Sequence, residues 1–292
     1  MAISATQLSL ALAQSPGIGS KTISRILARN AMLGTKPDAF AKLSQAVLQE
    51  EYRLPPSAAQ EWVSRREQNL ANARVMEARL SELGVRLACP VDAHYPGGIE
   101  ELWTDPPGLL FLYGNIPLLD SPTFTVLSSR NSSPEARLEM EKLTEAGVLN
   151  HEVLVTGHDT PEYRSAAIVP LRWGAPRILV LDNGMFHALG ENLTQEPFQA
   201  ARLWRYQFDP KADLVVSAIN PTWNTHRGAN QQRDRLIGAL SRRIDLVTAS
   251  PGGNMETIGQ TALKAGRRVR LSALCADPDR FPGAESIDGG RR

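Results

Sequence analysis

Residues 241–269 (SRRIDLVTASPGGNMETIGQTALKAGRRV) constrain the fold more than any other stretch of the chain. An apolar, β-favouring run from Ile244 to Ala249 meets a Ser-Pro-Gly-Gly-Asn loop. A helical segment from Met255 to Lys264 follows, then Gly266 and another apolar run. That order is the strand–loop–helix–strand unit of a parallel α/β sheet. A glycine-rich loop opening a helix leaves backbone N–H groups directed outward at the positive end of the helix dipole, which suits an anion. Arg233, Arg235, Arg242, Arg243, Arg267, Arg268 and Arg270 surround this loop in sequence. A ligand carrying phosphates matches such surroundings.

The same alternation extends upstream. Apolar strand candidates at 85–88, 109–113, 123–127, 153–156, 177–181 and 214–218 are separated by helical or punctuated stretches, including 134–146 and 230–240. A further helix is expected near 196–206. The fold class is therefore α/β: a Rossmann-like, doubly wound, mostly parallel sheet with ligands at the C-terminal strand edge. The expected organisation is a helical domain over 1–84, the sheet domain over 85–274, and a disordered tail over 275–292, where Pro, Gly, Asp and Arg dominate.

Within the first 84 residues, two short helices flank Ser15-Pro16-Gly17-Ile18-Gly19. This spacing fits a helix-hairpin-helix, in which Gly17, Gly19, Ser20 and Lys21 would bring backbone N–H groups from Ile18 to Lys21 against a DNA phosphate. It equally fits an ordinary αα-hairpin with a glycine turn.

The formal net charge of +1 announces no polyanion partner by itself, but the distribution is uneven. Residues 201–270 hold twelve Lys and Arg against five Asp and Glu, and residues 1–30 hold Lys21, Arg25 and Arg29 with no acid. Locally basic faces serve phosphate-backbone binding through counterion release. The two cysteines, Cys89 and Cys275, have no partners at metal-ligand spacing, so neither zinc nor a disulfide framework is expected. The N-terminal apolar run is too short to span a membrane and lacks a basic leader, so the expected location is the cytoplasm, with no membrane partner. The five scattered histidines suggest no catalytic set.

Four segments resemble the DNA-processing protein A (DprA/Smf) family. They are Tyr95-Pro96…Asp105-Pro106-Pro107…Gly114, the strand ending Ser128-Ser129-Arg130, the Arg233-Asp234-Arg235-Leu236-Ile237-Gly238-Ala239-Leu240-Ser241 segment, and the opening unit through Gly266-Arg267-Arg268-Val269. The resemblance implies an extended Rossmann domain that binds single-stranded DNA, forms a homodimer and hands DNA to a RecA-type recombinase, with no cofactor. Carried onto this chain, it places the phosphate contacts at Ser129, Arg130, Gly157, Arg233, Arg235, Gly252, Gly253 and Asn254. Arg233 and Arg235 stand two apart on one helix and so splay; one faces the ligand while the other lies against the core or a partner chain. Trp204 and Trp223 are candidates for stacking on unpaired bases, Trp223 the better one because Asn220-Pro221-Thr222 and Asn224-Thr225 make its surroundings loop-like.

The departures from the family pattern are local. Ser128 replaces the Gly of Gly-Ser-Arg, Thr156-Gly157-His158-Asp159-Thr160-Pro161 lacks a second glycine, Asp234 replaces an Asn, and no winged-helix segment follows the sheet. Two other readings stay open. Pro251-Gly252-Gly253-Asn254 begins like the phosphoribohydrolase (LOG) signature, although its ninth position is Gly259 rather than the acid that glycosidic cleavage needs. The rewritten loops also fit an adaptor or sensor that has lost DNA binding. Binding is favoured over catalysis, since no Walker loop, Ser/His/Asp set or two-metal carboxylate cluster is present in the sequence.

Overall fold

The structure is a computed structural model that describes residues 2–198, 203–275 and 277–287. It divides into two compact units: residues 1–95 with 104–112, and residues 96–103 with 113–292. The expected boundary at residue 84 thus differs from the observed division, because the first strand and the 104–112 segment pack with the N-terminal helices.

The first unit contains α1 (Ala5–Ala13), α2 (Ser20–Leu33), α3 (Pro37–Phe40), α4 (Gln45–Glu50), α5 (Pro56–Glu82) and β1 (Val85–Ala88). Ser4 caps α1 through a capping box with Gln7, satisfying two N-terminal donors reciprocally. Trp62 on α5 is fully buried against Phe40, whose ring meets Tyr52 edge-on at 4.9 Å. Such aromatic burial is worth about 1.5–3 kcal/mol per side chain. Two buried polar pairs, Tyr52 Oη to Asn30 Oδ1 (2.7 Å) and Asn69 Nδ2 to Ser15 Oγ (3.0 Å), satisfy what the helices would otherwise leave unpaired. Cys89 is also buried here. Burial and the neighbouring Asp92 push its thiol up to about 12, so it is an inert thiol rather than a nucleophile.

The second unit carries the sheet. Its elements are α6 (Gly98–Leu102), β3 (Thr123–Ser128), α7 (Pro134–Leu149), β4 (Val153–Thr156), α8 (Pro161–Trp173), β5 (Arg177–Leu181), α9 (Met185–Leu189), β6 (Leu214–Ser217), α10 (Ala229–Leu240), β7 (Arg243–Thr248), α11 (Asn254–Lys264), β8 (Arg268–Leu271) and β9 (Glu285–Ser286); β2 (Leu110–Gly114) is hydrogen-bonded to β1. The strands run β6-β5-β4-β3-β7-β8-β9, and every pairing along this series is parallel. β3, β4, β5 and β7 are buried along nearly their whole length, as both faces of a helix-covered parallel sheet demand. The doubly wound expectation therefore holds. The chain winds outward from β3 to β6, then returns to place β7 on the other side of β3. That reversal makes the β3/β7 crevice the topological switch point, where open α/β sheets bind ligands. Phe124, Val126, Val247, Met140 and Leu143 form the core beneath it, where α7 packs on the sheet.

Two sequence expectations fare differently. In the stretch expected as a helix near 196–206, residues 196–198 and 203–206 are not α-helical, and 199–202 lie outside the described residues. An antiparallel bridge between Gln195 and Gln207 closes this segment instead. Of the tail expected to be disordered, residues 277–287 are placed: Phe281 is buried, and β9 pairs in parallel with β8. One anchoring aromatic and a short ladder are enough to order a segment whose composition suggests a coil. Residues 276 and 288–292 lie outside the described residues.

Candidate functional site

Four loops meet at the C-terminal edge of the sheet. The β3 end carries Ser128, Ser129 and Arg130; the β4 end carries Gly157, His158 and Asp159; the β5 end carries Asp182 and Asn183; and the β7 end runs into Ser250-Pro251-Gly252-Gly253. The switch point itself is sewn shut by hydroxyls. Ser128 Oγ and Thr248 Oγ1 lie 2.7 Å apart, the Ser129 N–H donates to both Thr248 oxygens at 3.1 Å, and the Ser250 N–H donates to Ser129 Oγ at 2.8 Å. The Ser128 side chain therefore takes the space a glycine would leave open. Ser129 serves the loop's own backbone.

At the bottom of the site lies Arg233, whose side chain is only 1% exposed. Its guanidinium donates to Asp234 Oδ1 from Nε (2.9 Å) and Nη2 (2.8 Å), contacts Asp159, and stands 3.6 Å from Asp182. It also lies 4.8 Å from the centre of the Tyr163 ring. Burial alone would lower its pKa, but the surrounding acidic groups raise it further above the ordinary arginine value, so it is always charged. Asp234 is the hub on the other side. It accepts from Tyr163 Oη (2.6 Å) and from Asn254 Nδ2 (2.7 Å). Burial, then the Asp234 charge, hold the Tyr163 hydroxyl well above its usual range. Gly157 allows this packing: a Cβ there would stand 2.8 Å from the Tyr163 ring and 3.2 Å from Arg233 Cδ.

His158 is the neutral member. Burial, the largest influence, lowers its pKa; the Asp159 and Asp182 charges oppose this, and Arg233 and Arg164 add to it. Among the described residues its Nε2 finds no hydrogen-bond partner, and neither do Thr156 Oγ1 or Asn183 Oδ1. Glu162 closes the wall beside Ser132, accepting from that residue's N–H (3.1 Å) and hydroxyl (3.0 Å). Asp159, Asp182 and Asp234, three carboxylates against the one Arg233 guanidinium, make the interior of the site acidic. The positive charge sits on the rim.

Arg130 is the rim cation of the switch point. It is exposed, follows β3, and is positioned by Asn230 from the first turn of α10. In the amide orientation that suits both neighbours, Asn230 accepts from Arg130 Nη2 at 2.7 Å and donates to Asp182 Oδ2 at 2.9 Å. Arg130 is thus tied, through one amide, to the network beneath it.

The glycine loop is occupied by its own helix. Gly252 adopts φ +69°, a left-handed conformation that strains any residue with a Cβ, and its N–H donates to Glu256 Oε2 at 2.6 Å. The other Glu256 oxygen contacts Arg280 and accepts from Gln260. Gly253 caps α11, and the Asn254 side chain turns into the site toward Asp234. Glu256 has no free oxygen to act as the acid of a phosphoribohydrolase.

Ser129, Arg130, Gly157, Arg233 and Asn254 are thus gathered at one edge, together with the Gly252-Gly253 loop. Arg235 is not among them. Two residues beyond Arg233 it has turned about 200° around α10, is exposed, and lies over Trp103 at 5.7 Å. The open choice between the two arginines resolves unexpectedly: the one that points into the site is buried and neutralised. In the helical unit, Gly17 takes φ +80° between α1 and α2, and Gly19 caps α2. The Ile18 N–H is already donated to Ser15 O (3.1 Å), so it is not available to a phosphate. Ser20 Oγ accepts from the Gly108 N–H at 3.1 Å, and Lys21 pairs with Asp105 at 3.0 Å on the surface.

Sequence reasoning missed Asp159, Asp182, Tyr163, Asn230 and Glu256. The available signal was position: Asp159 and Asp182 lie just past the ends of parallel strands, where such sheets place functional groups. Among the described residues, no group of three or more His, Cys, Asp and Glu side chains is placed to hold a metal ion, and no helix is long and apolar enough to cross a membrane.

Compared with known proteins, residues 86–286 match the family described as DNA recombination-mediator protein A. The chain belongs to this family. A DprA relative, the DNA processing protein DprA of Streptococcus pneumoniae strain ATCC BAA-255 / R6, is 26% identical over 181 residues, which is 61% of this chain and 60% of that protein. The chain therefore aligns with less than two thirds of that relative's length. The X-ray structure of S. pneumoniae DprA superposes with a TM-score of 0.71 at 20% identity, covering 98% of this chain and 95% of that one, and shows a shared fold. The DprA of Helicobacter pylori, whose structure was reported for its single-stranded DNA binding mode, gives a TM-score of 0.49 at 17% identity over 64% of this chain and 80% of that one. Against the family pattern, Asp234 gains a physical account: its charge holds Arg233 in the interior, so a DprA-type arginine here organises the site from below.

Proposed function

We propose that this DprA-family chain holds the backbone of single-stranded DNA along the C-terminal edge of its sheet. The observation that carries this reading is Arg130: an exposed guanidinium at the topological switch point, oriented by Asn230 yet paired with no carboxylate among the described residues. A guanidinium presents a fork of donors suited to phosphate oxygens. Arg233, Asp234 and Asn254 support the loops on which Arg130 and the Gly252-Gly253 backbone stand. Lys21, Ser20, Gly19 and Gly17 add a separate, sequence-independent phosphate contact through the helix-hairpin-helix. A homodimer and transfer of the strand to a RecA-type recombinase belong to the same reading by family. Light scattering and co-sedimentation with such a recombinase on oligonucleotide test them.

The decisive experiment is fluorescence anisotropy of a labelled single-stranded oligonucleotide and its duplex across a salt series. Tight single-strand binding that weakens steeply with salt is expected. Arg130→Ala should weaken it uniformly across sequences and reduce the salt slope by about 1. Binding unchanged at every salt concentration would remove Arg130 from the site. No binding by the wild type at low salt would favour the adaptor reading.

A further inference from the structure

The rim of the site bears one feature that phosphate contacts leave unused. Between β6 and α10, residues Thr222 to Gly228 form an unbroken run of exposed positions containing Trp223, His226 and Arg227. This loop is exposed but anchored. The Gly184 N–H donates to Trp223 O (2.8 Å), Thr225 Oγ1 donates to Asp182 O (3.2 Å), His187 Nε2 lies 3.0 Å from Thr222 O, and the Asn220 side chain accepts from the Thr222 N–H (3.1 Å) and hydroxyl (2.9 Å). The bonds to Gly184, His187 and Asp182 fasten it to the end of β5. Asp182 is the carboxylate that faces Arg233 and, through Asn230, orients Arg130. Trp223 stands two positions before Thr225, so its Cα lies within about 7.6 Å of that anchor.

Trp223 is 47% exposed, and its ring has no aromatic or cationic partner among the described residues. A tryptophan held by its backbone while its ring faces solvent is costly to leave unused, because it exposes apolar surface without gaining packing. Trp204 is a poor alternative. It is 44% exposed too, but its neighbour Arg205 is paired with Asp213 at the start of β6, at the opposite edge of the sheet from the loop that follows β6.

We propose that Trp223 is a base-stacking platform that takes the face of one unpaired nucleobase, while Arg130 and Arg227, each paired with no carboxylate among the described residues, hold backbone phosphates on either side. This rests on the single-stranded DNA reading above and adds to it the discrimination between single strand and duplex. A π-face is offered only by an unstacked base, and stacking of this kind accepts any base. The acidic interior would repel phosphates that stray inward, which keeps the backbone on the rim and its bases toward Trp223.

The test compares the full chain with Trp223→Ala and Trp223→Phe on two labelled oligonucleotides, one of thymidines and one with the same backbone but abasic. On the thymidine strand, Trp223→Ala should weaken binding by about 5- to 150-fold, with the salt slope unchanged because the indole neutralises no phosphate and releases no counterion. Trp223→Phe should restore most of it. On the abasic strand, wild type and Trp223→Ala should bind alike. The ring is exposed, so its removal leaves the core intact, and circular dichroism checks the fold of each variant. If the wild type binds the thymidine strand and Trp223→Ala binds it equally well, the platform is overturned while the DNA reading stands. If the wild type binds neither strand, both fall together.

Discussion

The backbone N–H of Gly252 donates to Oε2 of Glu256, 2.6 Å away, so a carboxylate from α11 occupies the anion position that its own N-terminal loop creates. A loop with the makings of a phosphate cradle is thereby supplied with an internal anion. Arg280, from the segment that follows β8, takes the other oxygen of the same carboxylate.

Removing that internal anion should make the loop available. Glu256→Gln is expected to tighten oligonucleotide binding at low salt by about threefold to tenfold, in keeping with helix N-terminal charge effects of roughly 1 kcal/mol. It should also lower thermal stability slightly through the loss of the Arg280 pair. Titration by anisotropy together with a melting curve checks both. An unchanged dissociation constant would mean that ligand and Glu256 do not compete.

Arg233 and Arg235 should respond oppositely to what their places in a shared sequence motif suggest. Arg233→Ala leaves Asp159, Asp182 and Asp234 buried or half-buried without their cation, and is expected to destabilise the fold by about 3–5 kcal/mol. Arg235→Ala gives up only exposed stacking on Trp103, worth about 0.5–1 kcal/mol. Urea denaturation of the two variants measures the difference. Equal midpoints would contradict the burial of Arg233.

His158 predicts the acid side of the stability profile. Burial holds its folded-state pKa below the unfolded value near 6.5. Between those two values the unfolded chain binds the extra proton, so stability falls as pH drops below about 6.5 and levels off only below the folded pKa. The loss is at most about 1.4 kcal/mol per pH unit for one proton. Melting temperatures from pH 7.5 to 5.5 should fall more for wild type than for His158→Asn. Parallel profiles would show that folding leaves the imidazole's proton affinity unchanged.

Lys21 tests the helical unit separately. Lys21→Ala should weaken oligonucleotide binding and reduce the salt slope by about 1, as expected when one phosphate is no longer neutralised. If the slope is unchanged, the surface pair with Asp105 is the whole role of this side chain.

The order of strands and helices was legible in the chain because hydrophobic periodicity and Gly/Pro punctuation act over a few residues. The strand–loop–helix at 244–264 and the α1–α2 hairpin are local in this sense. The Glu256 cap is equally local, four residues from the N–H it accepts from, yet the reading of the sequence did not name it. The tail at 277–287 was not, since its order depends on Phe281 packing beside Gly259 of α11 and on β9 finding β8.

What the sequence by itself determined is the element order of a doubly wound sheet and, with it, the edge on which a ligand site would form. Tertiary structure alone decided the chemistry of that edge. Asp159 and Arg233 meet across 74 positions of sequence, and Tyr163 and Asp234 across 71, turning an expected phosphate-binding arginine into a neutralised buried support. The same folding put Trp223, which its loop-like neighbours already favoured, at the site edge and Trp204 at the opposite one. The physical reason is range: propensity and periodicity are summed over neighbours in the chain, whereas the charge of a site is summed over neighbours in space.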